Sequence, residues 1–265
     1  MRYNTPMALS WGERRKYTYV AVGIFILLLL AWGAYATFFS TQPTCFDAKQ
    51  DGNEQGIDCG GSCSLICPNQ ATQPTVAWAR TFLTATSSAG TGQINTYTAA
   101  AYIQNTNVGA GAHNVAYSFE LFDANNDLVV EKDGVTDLPP LATIPIVEPN
   151  ISAGQRTVTH ALFAFSSLPS WVKVPQDAIP PVEVTNQALS PDGSRLSLTL
   201  QNNTVKDASN LTVVGVLFDA NGAALAASKS LVASLPHKSS QDVVFTWPLG
   251  TPGVVRAEIT VLPSF

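Results

Sequence analysis

The sequence is poor in charge and nearly empty of the residues that usually carry catalysis. Charged residues make up 12% of the chain, about half of the ~25% typical of soluble domains. The three histidines lie far apart, and no G-x-S-x-G, H-E-x-x-H or P-loop motif is present. Two methionines and 9% aromatic residues argue against a Met-rich helical bundle. We therefore expect a protein that is not an enzyme and has no cofactor.

Positive charge is missing between Lys16 and Lys49, and residues 18–39 inside that gap carry no charge of either sign. At about 1.5 Å per residue, a helix of this length crosses a hydrocarbon core of roughly 30 Å. Residues 1–17 carry a net charge of +3 and the whole chain −5, which leaves −8 for the rest. By the positive-inside rule, we expect a cytoplasmic tail at 1–17, a transmembrane helix at 18–39 and a C-terminal part outside the cell membrane. The acidic exterior argues against nucleic acid as a partner.

Cleavage of this segment as a signal peptide is the alternative, because Ala34-Tyr35-Ala36 resembles a small-x-small cleavage site. The apolar run is longer than the ~7–15 residues of a signal-peptide core. Aromatic residues at both ends of the run are typical of the two membrane interfaces. These features favour an uncleaved signal anchor that crosses the membrane once.

The chain has no cysteine outside residues 45–67, and four inside that segment, with the spacing C-x13-C-x3-C-x3-C. An even number just outside a membrane predicts two disulfides, which would hold a segment too small to bury a core of its own. Three pairings are possible and the sequence does not choose among them. Our preference is Cys45 with Cys63 and Cys59 with Cys67. Zinc is the rival interpretation, but zinc sites usually contain C-x2-C pairs.

The same segment carries oxygen ligands that could bind calcium weakly, at Asp47, Asp51, Asn53 and Asp58. As a twelve-residue loop starting at Asp47, it has Asp at positions 1, 5 and 12 and Gly52 at position 6, as an EF-hand loop requires. Lys49 at position 3 would place a cation in the site. The alternative is that these residues form turns, with glycines supplying positive φ.

The cysteine segment resembles a short module of prokaryotic surface proteins, roughly C-x-D-G-x-x-N-x-x-E-x-x-x-D-C-G-G-x-C-x-x-x-C. The match covers residues 45–67 and departs from the pattern at Ala48, where the module usually has glycine. The resemblance implies a position between a membrane anchor and surface domains, and no defined activity. Residues 68–75, with Pro68 and Pro74, are predicted to form a linker.

The remainder of the chain is internally repeated. Residues 117–126 align with 213–222 at an offset of 96, and the upstream Ile-Gln-Asn ending at Asn105 aligns with the Leu-Gln-Asn ending at Asn202. A period of about 90 residues indicates a duplicated domain rather than a solenoid. We expect two domains, at residues 76–177 and 178–265.

Downstream the alignment shifts. Residues 158–163 match residues 240–245 at an offset of only 82. This predicts that the first copy carries an insertion near residues 138–149, which the second copy lacks.

Apolar residues alternate with polar ones in both copies, as at Val115, Tyr117, Phe119 and Leu121. Such alternation predicts half-buried antiparallel strands. The segments Asp123–Asn126 and Asp219–Gly222 are typical of hairpin turns, where an aspartate caps the turn. Short strands at regular spacing predict an all-β ectodomain of two sandwiches.

The segment Phe119-Glu-Leu121-Phe122-Asp123 resembles the FxLYD signature of small immunoglobulin-like domains in prokaryotic surface proteins and lipoproteins. Phe122 stands where that family has tyrosine, and in the second copy Gly215 replaces the first phenylalanine. The resemblance implies two immunoglobulin-like (FxLYD-type) antiparallel β-sandwiches outside the membrane, with no general enzymatic activity.

The second copy also has an unusually apolar strand. Val214, Val216 and Phe218 stand where the first copy has Ser118, Glu120 and Phe122. We predict that this face is an interaction face covered by the other domain or by a partner. The alternative is a central strand buried on both sides.

Two functions from different classes remain open. The first is a non-catalytic surface protein that presents two immunoglobulin-like domains for protein or envelope interaction. The second is an accessory subunit of a cell-envelope machine, such as a secretion, pilus or division assembly, in which the helix also makes contacts.

Overall fold

The computed structural model describes residues 11–38, 45–89, 92–175, 179 and 181–262, except for the side chains of residues 36–38. The expected tail before residue 11 and the last residue of the expected span, Phe39, lie outside this set. Within the described residues there is one α-helix, α1, from Trp11 to Phe38. It begins seven residues before the expected span, because the charged residues ahead of the apolar run are good helix formers. The helix is long and apolar enough to cross a membrane, and its span from Trp11 to Tyr35 is not buried against the rest of the chain.

The first sandwich is formed by seven antiparallel strands. Strands β1, β2 and β5 make one sheet, and β4, β3 and β6 make the other, with β7 pairing to the opposite end of β3. Their bounds are β1 Thr75–Ala89, β2 Gly92–Asn105, β3 Ala110–Phe122, β4 Leu128–Leu138, β5 Ala142–Ser152, β6 His160–Phe165 and β7 Trp171–Lys173.

The second sandwich repeats this arrangement with six strands. Strands β8, β9 and β12 form one sheet, and β11, β10 and β13 form the other. Their bounds are β8 Glu183–Leu189, β9 Arg195–Asn202, β10 Ala208–Phe218, β11 Ala224–Leu235, β12 Ser239–Thr246 and β13 Arg256–Leu262. The predicted all-β body of antiparallel sandwiches after the N-terminal helix is confirmed.

Strand pairing shows that the offset between the copies stays at 96 or 97 residues throughout. Phe122 pairs with His160 on β6, and Phe218, 96 residues on, pairs with Arg256 on β13. Likewise Asn105 pairs with Ala142 on β5, and Asn202, 97 residues on, pairs with Ser239 on β12.

The predicted insertion near residues 138–149 is therefore wrong. Those residues contain most of β5, whose counterpart in the second copy is β12. The shifted alignment paired β6 with β12, which lie in opposite sheets of their sandwiches. The error arose because residues 144–148 are all buried and lack the alternation that marks the other strands.

Each core has a phenylalanine between its sheets, supplied by different strands. In the first copy Phe119 on β3 is fully buried, with its ring centroid 5.0 Å from that of Phe163. In the second copy the same position is Gly215. A Cβ added there would lie 3.2 Å from Cδ2 of Phe245, a buried residue of β12. The core phenylalanine is therefore on the third strand in the first copy and on the fifth strand in the second, where the absence of a side chain at Gly215 leaves space for its ring.

The repeated asparagines and aspartates hold corresponding loops in the two copies. Asn105 Nδ2 donates to the carbonyls of Ala110 and Pro139 at 2.9 and 2.8 Å. Asn202 Nδ2 likewise donates to Lys206 and Leu235 at 2.9 and 3.0 Å.

The two aspartates cap hairpin turns, as predicted. Oδ1 of Asp123 accepts hydrogen bonds from the amides of the second and fourth residues after it, and Oδ1 of Asp219 does the same. Bonds from Arg156 and from these turn amides hold the pKa of Asp123 below its ordinary value.

Candidate functional site

The four cysteines form two disulfides, Cys45–Cys63 and Cys59–Cys67. This is the preferred pairing of the three that the spacing allows. Both sulfurs of each pair are oxidised, so none is a thiolate ligand for zinc. Cys63 and Cys67 are buried, which leaves the module organised around its disulfides rather than around an apolar core.

Three of the four predicted calcium ligands bind the module's own backbone or side chains. Asp58 accepts from the amides of Asp47 and Ala48, both at 3.0 Å. Asp47 Oδ1 accepts from the amide of Lys49 at 3.0 Å. Asn53 Oδ1 accepts from the amide and hydroxyl of Ser62. These bonds are those of the turn interpretation.

Asp51 differs from the other three. Its Oδ1 is buried and has no hydrogen-bond partner. Partial burial and the neighbouring carboxylates of Asp47 and Glu54 raise its pKa above the ordinary value. Among the described residues, no three carboxylates of this segment bring their oxygens within 4.8 Å of one another. Calcium binding at these residues stays a prediction.

The module is bound to the first sandwich. The amide of Ile66 donates to the carbonyl of Trp171 on β7, and the amide of Lys173 donates back to the carbonyl of Ser64, at 2.9 and 2.8 Å. Ile66 also packs against the core of this sandwich. The module therefore extends the sheet through β7.

The segment predicted as a linker is docked as well. Thr72 and Asn107 exchange two hydrogen bonds of 2.7 Å, one from the amide of Thr72 and one from Nδ2 of Asn107. A short 3₁₀ turn, Pro68–Gln70, precedes this contact. The segment between the module and the first sandwich is therefore fixed to that sandwich at Thr72.

The apolar face of β10 lies against the first sandwich. Val214, Val216 and Phe218 belong to a buried cluster shared by the two domains, which we call the inter-domain cluster. Its other members are Ala100, Tyr102 and Val147 from the first sandwich and Ala224 and Ala227 from the second, with Trp78 and Phe82 packed at its edge. The structure places the predicted interaction face against the neighbouring domain of the same chain.

Aromatic rings and a guanidinium group pack at this boundary, and the Tyr102–Phe218 contact crosses it. The Tyr102 ring is stacked on Trp78 at 4.8 Å and meets the edge of Phe218 at 6.3 Å. The guanidinium carbon of Arg256 lies over the ring of Phe218, 4.1 Å from the ring centroid. Such contacts add to the free energy of area burial and favour one relative orientation of the two domains.

Polar pairs join the domains around the cluster. The Tyr102 hydroxyl donates to Oε1 of Glu258 at 3.0 Å. Glu148 Oε1 accepts from the Tyr117 hydroxyl at 2.7 Å and from Nζ of Lys229 at 3.0 Å. Glu148 is almost fully buried, so the two donors are needed to offset the loss of its hydration.

Burial raises the pKa of both tyrosines well above the ordinary value. For Tyr102 the next causes are the charge and the hydrogen bond of Glu258, and for Tyr117 they are the hydrogen bond and the charge of Glu148. The sequence pattern marked Tyr117 only as an apolar residue of a half-buried strand and did not mark Glu148 or Lys229. Glu148 lies at the end of the apolar run of β5, and a carboxylate in such a run indicates a buried partner of opposite charge or a hydrogen-bond donor.

Two clefts open at the boundary between the sandwiches. One, of about 250 Å³, is lined by residues of both domains that include Tyr117 and Lys229. The other, of about 350 Å³, lies beside Phe82 and Trp247. The histidines line neither cleft. His113 and His237 face Asp137 and Asp207 at 3.5 and 2.7 Å, and His160 stacks on Phe122.

No protein-family model matches this sequence, and a search of curated proteins finds no relative.

Proposed function

We propose that this chain is a single-pass, membrane-anchored surface protein that presents two immunoglobulin-like, FxLYD-type domains for interaction with a protein or envelope partner, without catalysis. The N-terminus is cytoplasmic, and the cysteine module and both sandwiches lie outside the cell membrane. The observation that carries this proposal is an apolar, unburied helix followed directly by two disulfides. Disulfides persist in oxidising compartments and are rare in the cytosol, which supports an extracytoplasmic position for the module.

The docked domains support a presenting role. The inter-domain cluster, the Tyr102–Glu258 bond and the Lys229–Glu148 ion pair join the sandwiches, and β7 joins the module to the first of them. A partner would meet two domains in one arrangement rather than two modules on a free linker. Such pre-organisation lowers the entropy lost on binding.

The topology is tested on the full chain with one tag at each end, expressed in the membrane of a bacterium. Protease added to intact cells should remove the C-terminal tag and leave the N-terminal tag protected. Both tags on one polypeptide before digestion would exclude signal-peptide cleavage. A C-terminal tag that is protected in intact cells and digested only after lysis would overturn the proposal.

The thiol state is the companion measurement. Alkylation of intact cells before reduction should leave all four cysteines unmodified, because both pairs are oxidised. Modification of the cysteines in that step would place the module in a reducing compartment and contradict the proposal.

Exchange of the anchor separates the two candidate functions. The full chain and a version with residues 1–39 replaced by an unrelated membrane anchor are purified from gently solubilised membranes, and co-purifying proteins are quantified. If the chain with the unrelated anchor still co-purifies with the same proteins, presentation by the sandwiches is supported. If those proteins are lost when the native helix is replaced, an accessory subunit of an envelope machine is supported, in which contacts of the helix decide assembly.

A further inference from the structure

The cysteine module exposes two large apolar side chains. Phe46 is 81% exposed and Ile57 is 63% exposed. Both lie in a segment held by disulfides and dense in turns, where most other exposed side chains are polar or small. Solvent-facing apolar side chains that lie close together are typical of a surface that meets an apolar partner.

Hydrogen bonds hold the two residues in neighbouring loops. Oδ1 and Oδ2 of Asp58, the residue after Ile57, accept from the amides of Asp47 and Ala48, the two residues after Phe46. The Cys45–Cys63 disulfide fixes the residue before Phe46. The backbone that presents these side chains is therefore pre-organised.

The contacts between module and sandwich involve other residues. Lys173 Nζ donates to the carbonyl of Gly61, Ile66 packs on the sandwich core, and Thr72 bonds to Asn107. Phe46 and Ile57 take no part in these contacts. Docking on the sandwich thus leaves the two apolar side chains available to another surface.

The short distance along the chain to α1 identifies that surface. Only residues 39–44 separate Phe38 from Cys45. Seven extended residue steps reach at most about 25 Å. If α1 crosses a bilayer, the module has to stay close to the headgroup layer that the helix leaves.

We propose that Phe46 and Ile57 insert into the interfacial layer of the membrane that α1 crosses, so that the lipid surface is the partner of the cysteine module. This inference rests on the proposed function, since it requires α1 to span the bilayer. The module carries Asp47, Asp51, Glu54 and Asp58 against Lys49 alone. Attraction to anionic lipid cannot drive this contact, so it depends on apolar insertion and should be insensitive to salt.

This contact would orient the whole exterior. The module is hydrogen-bonded to β7, and the first sandwich is packed on the second. A module held against the headgroups would therefore set the tilt of both sandwiches relative to the membrane and the direction in which their loops point.

Photo-cross-linking of the full chain tests the proposal. The photoreactive residue p-benzoylphenylalanine replaces, one at a time, Phe46, Ile57, Leu27 in the middle of α1, and Val205. Val205 is the matched control because it is also 81% exposed but lies in the second sandwich. Each variant is reconstituted in phosphatidylcholine liposomes and irradiated, and lipid adducts are measured by mass spectrometry. Intact mass without reductant verifies that both disulfides are formed.

We expect lipid adducts at positions 46 and 57 at about tenfold the yield at 205, unchanged between low and high salt. Adducts at 27 together with yields at 46 and 57 no higher than at 205 would overturn the inference and leave the proposed function standing. Adducts between two copies of the chain at 46 or 57, in place of lipid, would overturn it in favour of a protein contact. No lipid adduct at 27 would overturn both, because the helix would not be in the bilayer.

Discussion

The hydroxyl of Tyr102 on β2 donates a hydrogen bond to Oε1 of Glu258 on β13, 3.0 Å away and in the other sandwich. The pair spans 156 residues of sequence. Tyr117 makes the equivalent kind of bond to Glu148, which in turn pairs with Lys229 of the second domain. Both tyrosines are thus held protonated beside carboxylates at the boundary between the domains.

Alkaline pH should destabilise the folded chain through these tyrosines. Their pKa is raised by burial and by the neighbouring glutamates above the ordinary value of 10.0. Above about pH 10 the unfolded chain loses these protons while the folded chain keeps them, so stability present below pH 10 falls as pH rises. The free energy of unfolding, measured by denaturant titration between about pH 8 and 11.5, should decline over the upper part of this range.

The double variant Tyr102→Phe with Tyr117→Phe is the control for this pH dependence. It should be less stable at pH 8 by about 1 kcal/mol for each lost hydrogen bond, and its stability should depend less on pH above 10. An unchanged slope in the double variant would mean that other groups cause the alkaline loss.

A charge at the centre of the inter-domain cluster should separate the domains. Val216 is fully buried in that cluster, so Val216→Glu would place a carboxylate among apolar side chains, away from water. The expected loss is about 3 kcal/mol or more, with increased self-association because the uncovered face is apolar. Thermal melting and light scattering report the two effects.

The matched substitution is Leu231→Glu, on the neighbouring strand β11 at a site that is 74% exposed. This variant should change stability by no more than about 0.5 kcal/mol. Similar melting of both variants and the parent chain would show that the inter-domain cluster contributes little to stability.

The core phenylalanine comes from the third strand in the first copy and from the fifth strand in the second, which predicts a pair of substitutions that compensate each other. Gly215→Phe should destabilise the second sandwich by about 1–3 kcal/mol, because the new ring would meet Phe245. Adding Phe245→Ala should recover much of this loss, since it restores the arrangement of the first copy, with the ring on the third strand. Denaturant melts of the two single variants and the double variant measure the coupling. If the stability losses of the two single variants simply add in the double variant, the interpretation that one space in the core can be filled from either β10 or β12 is contradicted.

Removal of the Cys59–Cys67 disulfide should act locally. The double substitution Cys59→Ser with Cys67→Ser should cost the module about 2–4 kcal/mol, because the open loop gains entropy when it unfolds. Hydrogen exchange of the Ile66 and Lys173 amides, which bond across the module–sandwich contact, should accelerate. Amides of the β9–β12 ladder should not change. Equal acceleration in both places would mean that the module and the second sandwich unfold together.

Local patterns predicted the parts of the fold that depend on near neighbours. Alternation marked the strands, and the aspartates at 123 and 219 were identified as turn caps because their bonds reach only four residues along the chain. β5 was missed for the opposite reason. Residues 144–148 are covered on both faces, one by the first core and one by the second domain, so their alternation is absent.

At the candidate site too, the sequence predicted features set by neighbouring residues and not those set by distant ones. The sequence indicated that Val214, Val216 and Phe218 form an apolar face, but it left open whether the other domain, a partner or the interior of one sheet covers that face. Glu148 was not recognised as an inter-domain residue because its partner Lys229 lies 81 residues away. No local pattern encodes that distance.

The sequence by itself determined a helix with a charge-free apolar span, a cysteine-bonded module and two copies of an antiparallel sandwich, because each follows from the order of residues within a short stretch. Only the tertiary structure decided that the sandwiches are packed on each other, that Phe245 fills the space left by Gly215, and that Glu148 is shared by Tyr117 and Lys229. Those outcomes depend on shape and charge matching between side chains brought together from distant parts of the chain.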